Sequence, residues 1–105
     1  MLGKIESVSL GNGGYACDMF GFSFTLSGTD GCVQDFKGTW DREPDQHCRW
    51  NSETQNAHFL KSFNEVREIM KQAKVSEFYK LKGIPVEIQI ENCTLKSWRV
   101  LTEVL

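Results

Sequence analysis

The stretch that decides the fold is MFGFSFTLS at residues 19–27. Large apolar side chains alternate in it with small or polar ones. Residues of a β-strand point alternately to the two faces of a sheet, so this period of two predicts a strand with Phe20, Phe22, Phe24 and Leu26 on one face.

Two further strands are predicted beside this one. Residues 4–10 and 32–40 show similar alternation, with Val8 in phase in the first run. Glycine-rich segments at 11–14 and 28–31 separate the three strands, and glycine tolerates the positive φ of tight turns. The first part of the chain is therefore predicted to be an antiparallel meander.

An amphipathic helix is predicted after the meander. Ser52-Glu53-Thr54-Gln55 matches a capping box, and the pattern continues to Lys74. Apolar residues recur at steps of three and four, which makes one wide stripe along the helix. We expect this stripe to pack on the phenylalanine-rich face of the sheet. Its members are Ala57, Phe59, Leu60, Phe63, Val66, Ile69, Met70 and Ala73.

The end of the chain predicts two more strands. Residues 76–82 predict one short helical turn that ends at Gly83. Alternating apolar residues predict strands at 85–92 and 97–105, separated by a turn at 92–96. The chain should thus be a single α+β domain over residues 1–105, with the order β-β-β-α-β-β. We expect an antiparallel sheet of about five strands with one helix on one face.

The composition narrows the functional classes. The net charge of −2 argues against binding duplex nucleic acid through a basic surface. No segment has the apolar length of a membrane span, and the first residues lack the apolar stretch of a signal peptide. We therefore expect a cytoplasmic protein whose cysteines are reduced.

No catalytic or metal-binding motif stands out. Cys17, Cys32, His47 and Cys48 could supply zinc ligands, but the chain has no C-x-x-C pair, and buried cysteine is the simpler interpretation. A thiol and a base could be proposed from Cys48 with His58, or from Cys17 with Asp18 and His47, yet no spacing supports either arrangement. We expect no metal, no cofactor and no enzymatic activity.

The segment 41–51 is the best candidate for a binding site. It is irregular, it lies between two tryptophans, and long loops on rigid scaffolds often carry function. Trp and Arg anchor interfaces by burial, stacking and bidentate hydrogen bonds. The other interpretation is that both Trp rings pack on the edge of the core while the charges remain solvated. Candidate residues for binding a partner or ligand are Trp40, Arg42, His47, Arg49, Trp50 and, on the last strand, Arg99.

Several segments resemble small accessory proteins of phage and prophage genomes. They are residues 81–87 and 95–105 near the end, and residues 13–15, Gly21 and 35–40 in the first half. The resemblance carries no catalytic residues with it. What it implies is a context, because such proteins often block host defences by stoichiometric binding, as anti-CRISPR proteins and nucleotide sponges do.

The first hypothesis is a non-enzymatic binding protein of phage origin that inhibits a host defence system. Its target would be a defence protein or a nucleotide signal, and a sponge for nucleotides would use Arg42, Arg49 and Arg99 and would be a homo-oligomer. The alternatives are a small cytosolic enzyme that acts on a nucleotide or peptide through Cys48 or His47, and a structural or assembly protein of the phage particle.

Overall fold

The computed structural model describes residues 1–13 and 18–105, in which three strands precede one α-helix and two strands follow it. The strands are β1 (Leu2–Gly13), β2 (Met19–Gly28), β3 (Gly31–Trp40), β4 (Pro85–Glu91) and β5 (Thr94–Val100), and helix α1 spans Ser52–Ala73. Short 3-10 helices lie at Phe78–Leu81 and Thr102–Val104. The predicted α+β class and the order β-β-β-α-β-β are confirmed.

The sheet has the order β3-β2-β1-β4-β5, and every neighbouring pair is antiparallel. Strand β1 is central because it pairs with β2 along most of its length and with β4 at its first residues. A register shift between Ile5 and Ser7 inserts one extra residue. This bulge lets Ile5, Val8 and Leu10 all face the same side of the sheet as the phenylalanines of β2.

Helix α1 packs on the phenylalanine-rich face of the sheet, as its apolar stripe predicts. Phe63 meets Phe22 edge to face with ring centroids 5.3 Å apart, and Phe59 meets Phe20 at 6.4 Å. No helix among the described residues has the length and apolarity to cross a membrane. The fully buried large side chains of the core are Ile5, Phe24, Leu26, Leu81, Val86, Ile88 and Val100.

The sheet curls until its two outer strands touch. Trp98 on β5 donates a hydrogen bond of 2.7 Å from Nε1 to Oδ2 of Asp35 on β3. Lys37 lies 3.4 Å from the same carboxylate oxygen and 6.0 Å from the centre of the Trp98 ring. The twist of an antiparallel sheet accumulates from strand to strand, which brings these two edges together over Phe24.

The glycine segment of β1 is not the turn that the sequence predicts. Gly11, Asn12 and Gly13 continue the strand, and Gly13 pairs with Met19. A Cβ built on Gly13 would lie 2.9 Å from the Phe36 ring, so this glycine makes room for an aromatic side chain on the face away from the helix. The last glycine of the predicted turn, Gly14, lies outside the described residues.

The helix begins one residue earlier than the predicted capping box. Oδ1 of Asn51 accepts a hydrogen bond of 2.8 Å from the backbone N–H of Thr54, and Ser52 is already helical. Asn and Ser are about equally good caps, so the choice depended on where the preceding loop enters the helix. The side chain of Gln55 is thereby released to contact that loop.

The last strand also differs from its prediction. A two-residue turn at Asn92 and Cys93, both with positive φ, lets β5 begin at Thr94 rather than at residue 97. The strand ends at Val100, and Val104 lies 63% exposed in a 3-10 helix instead of continuing the strand. The predicted helical turn before Gly83 is confirmed at Phe78–Leu81.

Candidate binding surface

The loop 41–51 is anchored where it leaves the sheet. The Nε2 group of Gln55 donates to the backbone carbonyls of both Trp40 and Arg42, and Nδ2 of Asn12 donates to Oδ2 of Asp41 at 2.6 Å. The backbone N–H of Asp41 also donates to the carbonyl of Asp18. The start of the loop, where the chain leaves β3, is therefore held by three side-chain hydrogen bonds from neighbouring elements.

Two tryptophans stack across the base of this loop. The rings of Trp40 and Trp50 lie 4.3 Å apart at an angle of 10°, and His58 of α1 stacks on Trp40 at 5.8 Å. The guanidinium of Arg42 lies 5.4 Å from the centre of the Trp50 ring. Both Trp side chains are half-buried, and the indole N–H of Trp50 is buried without a hydrogen-bond partner. The stack thus joins the two ends of the loop, and the charged side chains of the loop remain exposed to solvent.

A tight turn within the loop surrounds Asp45. Its Oδ1 accepts a hydrogen bond of 2.8 Å from the backbone N–H of His47, and its carbonyl accepts one from the N–H of Cys48. These contacts stabilise the charged carboxylate. The N–H of His47 first, and then the Cys48 side chain, hold the pKa of Asp45 below its ordinary value. Arg42 donates from Nη2 to the Sγ atom of Cys48 at 3.6 Å.

The proposed pair of Cys48 and His58 shows no hydrogen bond between the two side chains, both of which lie among the described residues. Cys48 contacts Arg42 and the backbone of Asp45, while the ring of His47 lies 3.3 Å from the amide of Gln46. The described residues hold no group of three His, Cys, Asp or Glu side chains that could bind a metal ion. Cys17 lies outside those residues, so every proposed arrangement that includes it stays a prediction.

The six residues predicted to bind a partner fall into three groups. Trp40, Arg42 and Trp50 come together in the stack, whereas His47 and Arg49 are exposed on the same loop. Arg49 forms no ion pair with any described residue.

Arg99 belongs to a different cluster. It lies 3.3 Å from Glu87 and 2.9 Å from Glu103, and these carboxylates raise its pKa and keep it charged. The structure therefore separates Arg99 from the loop and neutralises its charge locally.

A second surface was not predicted as a site. Next to α1 lies a groove of about 380 Å³, lined mainly by apolar side chains that include Phe22, Phe63, Met70 and Phe78. Phe63 is 58% exposed, although the helical spacing predicts it in the stripe that packs on the sheet. A stripe as wide as this one, wider than a single sheet face can cover, is the sequence signal that could have indicated the groove.

Comparison with known proteins adds no family. No family model matches the sequence, no curated protein is significantly similar to it, and no solved structure matches the fold.

Proposed function

We propose that this chain is a phage-encoded, non-enzymatic binding protein that inhibits a host defence system by stoichiometric contact with a host protein. The observation that carries the proposal is the loop 41–51, whose ends are joined by the Trp40–Trp50 stack and whose start is anchored by Gln55, while Arg49 and His47 remain exposed. The phage context comes from the resemblance of residues 81–87 and 95–105 to accessory proteins of phage genomes.

A loop held in this way is suited to binding a protein. Each rotamer-rich side chain that must be ordered on association costs about 0.5–1.5 kcal/mol, and ordering a flexible loop costs more. Here the start of the loop is restrained by the hydrogen bonds to the carbonyls of Trp40 and Arg42, and its middle by the turn around Asp45. Arg49 supplies an exposed cation of the type that is enriched in interface anchors. Because less of the free energy of contact is then lost in ordering the loop, more of it contributes to affinity.

The arrangement of the arginines favours a protein target over a nucleotide signal. A phosphate site needs several cations that point at one place. Arg99 is paired with Glu87 and Glu103, and Arg42 contacts Cys48 and the face of Trp50. Only Arg49 of the three arginines proposed for phosphate binding has no such contact among the described residues.

The test is a plating assay with matched charge reversals. The protein is expressed in bacterial strains that each carry one defence system, and the efficiency of plating of a sensitive phage is measured. We expect restored plating in at least one strain, loss of that effect with Arg49→Glu, and full effect with Lys82→Glu, which makes the same charge change at an exposed position outside the loop. Restored plating in no strain, or equal behaviour of the two variants, would contradict the proposal.

A purified-component experiment separates binding from catalysis. With the identified target, titration should show inhibition that reaches completion at one inhibitor per target, and both proteins should have unchanged mass afterwards. Complete inhibition by a small fraction of the target concentration, or a changed mass of target or nucleotide, would indicate an enzyme instead.

A further inference from the structure

The groove beside α1 exposes aromatic surface that the fold does not cover. Phe63 lies on its wall at 58% exposure, and its ring touches Phe22, which in turn touches Phe78 at 5.1 Å. Val66 and Met70 continue the apolar lining along the helix. An aromatic side chain exposed to this extent leaves apolar area in water that a partner could bury.

The charge at the rim of this groove has one sign. Arg67 and Lys71 line it, four residues apart and hence neighbours on one face of the helix, and no carboxylate of the described residues lines it with them. Neither cation forms an ion pair with a described residue. Like charges at this spacing repel each other, and the repulsion is relieved when an anion lies between them. The rim is therefore locally basic although the whole chain carries a net charge of −2.

A second groove on the same helix provides the comparison. It is lined by Leu60 and Ala57 together with side chains of both signs, Lys61, Glu65 and Glu68. Lys61 lies 4.0 Å from Glu65, and Glu65 also pairs with Lys37 of β3. Two of the three charged side chains in that groove are paired within the chain, whereas both charged side chains of the groove at Phe63 are cations without an ion-pair partner among the described residues.

We infer that the groove binds an acidic amphipathic segment of a partner protein. An apolar side chain of the segment would lie against Phe63 and Phe22, and carboxylates beside it would face Arg67 and Lys71. Contacts of this kind are typical of a helix bound in a groove, where buried anchors supply affinity and rim charges supply orientation and rate of association. The inference does not depend on the loop 41–51, since the two surfaces share no residue.

The experiment selects random peptides from a display library on the immobilised protein and measures their affinity by fluorescence anisotropy. Enriched peptides should combine aromatic or aliphatic residues with Asp or Glu. The double variant Arg67→Glu/Lys71→Glu should bind them about tenfold more weakly, the equivalent of two exposed ion pairs, and Phe63→Ser should also weaken binding. The controls Leu60→Ser and Lys61→Glu make matching changes in the second groove and should bind normally. Affinity should also fall as salt is raised.

A different occupant of the groove would give a different experimental result. A dimer whose dissociation depends on concentration and which Phe63→Ser abolishes would show that a second copy covers the groove. A fatty acid that remains bound in native mass spectrometry and is lost in the same variant would show a lipid. Either result, or peptides without acidic residues, or peptides that bind the double variant as well as wild type, would overturn the inference. Thermal melts of every variant show that a loss of binding is not a loss of folding.

Discussion

The hydrogen bond between the two outer strands makes the sharpest prediction about the fold. Trp98→Phe keeps an aromatic ring over Phe24 but removes the N–H group that donates to Asp35 at 2.7 Å. If the curl of the sheet depends on this contact, the variant should lose stability beyond the effect of a smaller ring. The matched control is Trp50→Phe, because the indole N–H of Trp50 is buried without a partner and its removal breaks no hydrogen bond.

The expected size follows from the surroundings of the bond. A hydrogen bond to a charged group contributes about 1.5–3 kcal/mol net. Asp35 is one-quarter exposed and lies 3.4 Å from Lys37, so its carboxylate stays partly solvated and paired after the N–H is lost. The loss should therefore lie near the lower limit, and we expect Trp98→Phe to be less stable than Trp50→Phe by about 1–2 kcal/mol. For a domain of this size, each kcal/mol corresponds to about 4–8 °C in Tm.

Urea unfolding followed by circular dichroism measures the difference directly. A double-mutant cycle with Asp35→Ala isolates the pair, and the coupling energy should exceed about 1 kcal/mol. Equal stability of the two Trp variants would refute the reasoning, as would coupling below about 0.5 kcal/mol, which is the usual error of additivity. In that case the two strands would only be neighbours, and the curl would arise from twist and core packing alone.

Two further predictions concern the loop and the last hairpin. The carboxyl of Asp45 should titrate below its ordinary pKa in NMR of the free protein, because the N–H of His47 donates to it. Since the pKa is lower in the folded loop, this contact favours the folded state above the unfolded pKa, and that contribution disappears as the pH falls through the lowered value. An ordinary pKa would mean that the loop is not ordered without a partner. Cys93→Gly should stabilise the protein by about 1 kcal/mol, because Cys93 has a φ of 60° and glycine adopts that region without steric cost. A lower urea midpoint for this variant than for wild type would contradict the assignment of the turn.

The strands and the helix were predictable because their patterns are local. Alternation at 19–27 and steps of three and four from Ala57 to Ala73 depend only on which side of each element is apolar. The errors lie where two local solutions have nearly equal free energy. Asn51 and Ser52 are comparable caps. The glycines at 11–13 suit either a turn or a strand in which a missing side chain leaves room for the Phe36 ring.

Part of the candidate site was predictable because it, too, is local in the sequence. Composition identified Trp40, Arg42 and Trp50 as one region, and they do lie together because they flank a single loop. The isolation of Arg99 could not be read from the sequence, since Glu87 is its neighbour only across the β4–β5 pair. The open groove at Phe63 was hidden because a helical stripe states which residues are apolar but does not state how many of them the opposite sheet can cover.

Taken alone, the sequence determined the class of the fold, the order of its elements and the apolar face of β2. These properties follow from residue spacing, which a chain carries before it folds. Only the tertiary structure decided that β1 joins both halves of the sheet, that Trp98 on one edge reaches Asp35 on the other, and that Phe63 remains half in solvent. The first two depend on how strands distant in the chain pair and twist. The third depends on how much of the helix the paired sheet covers.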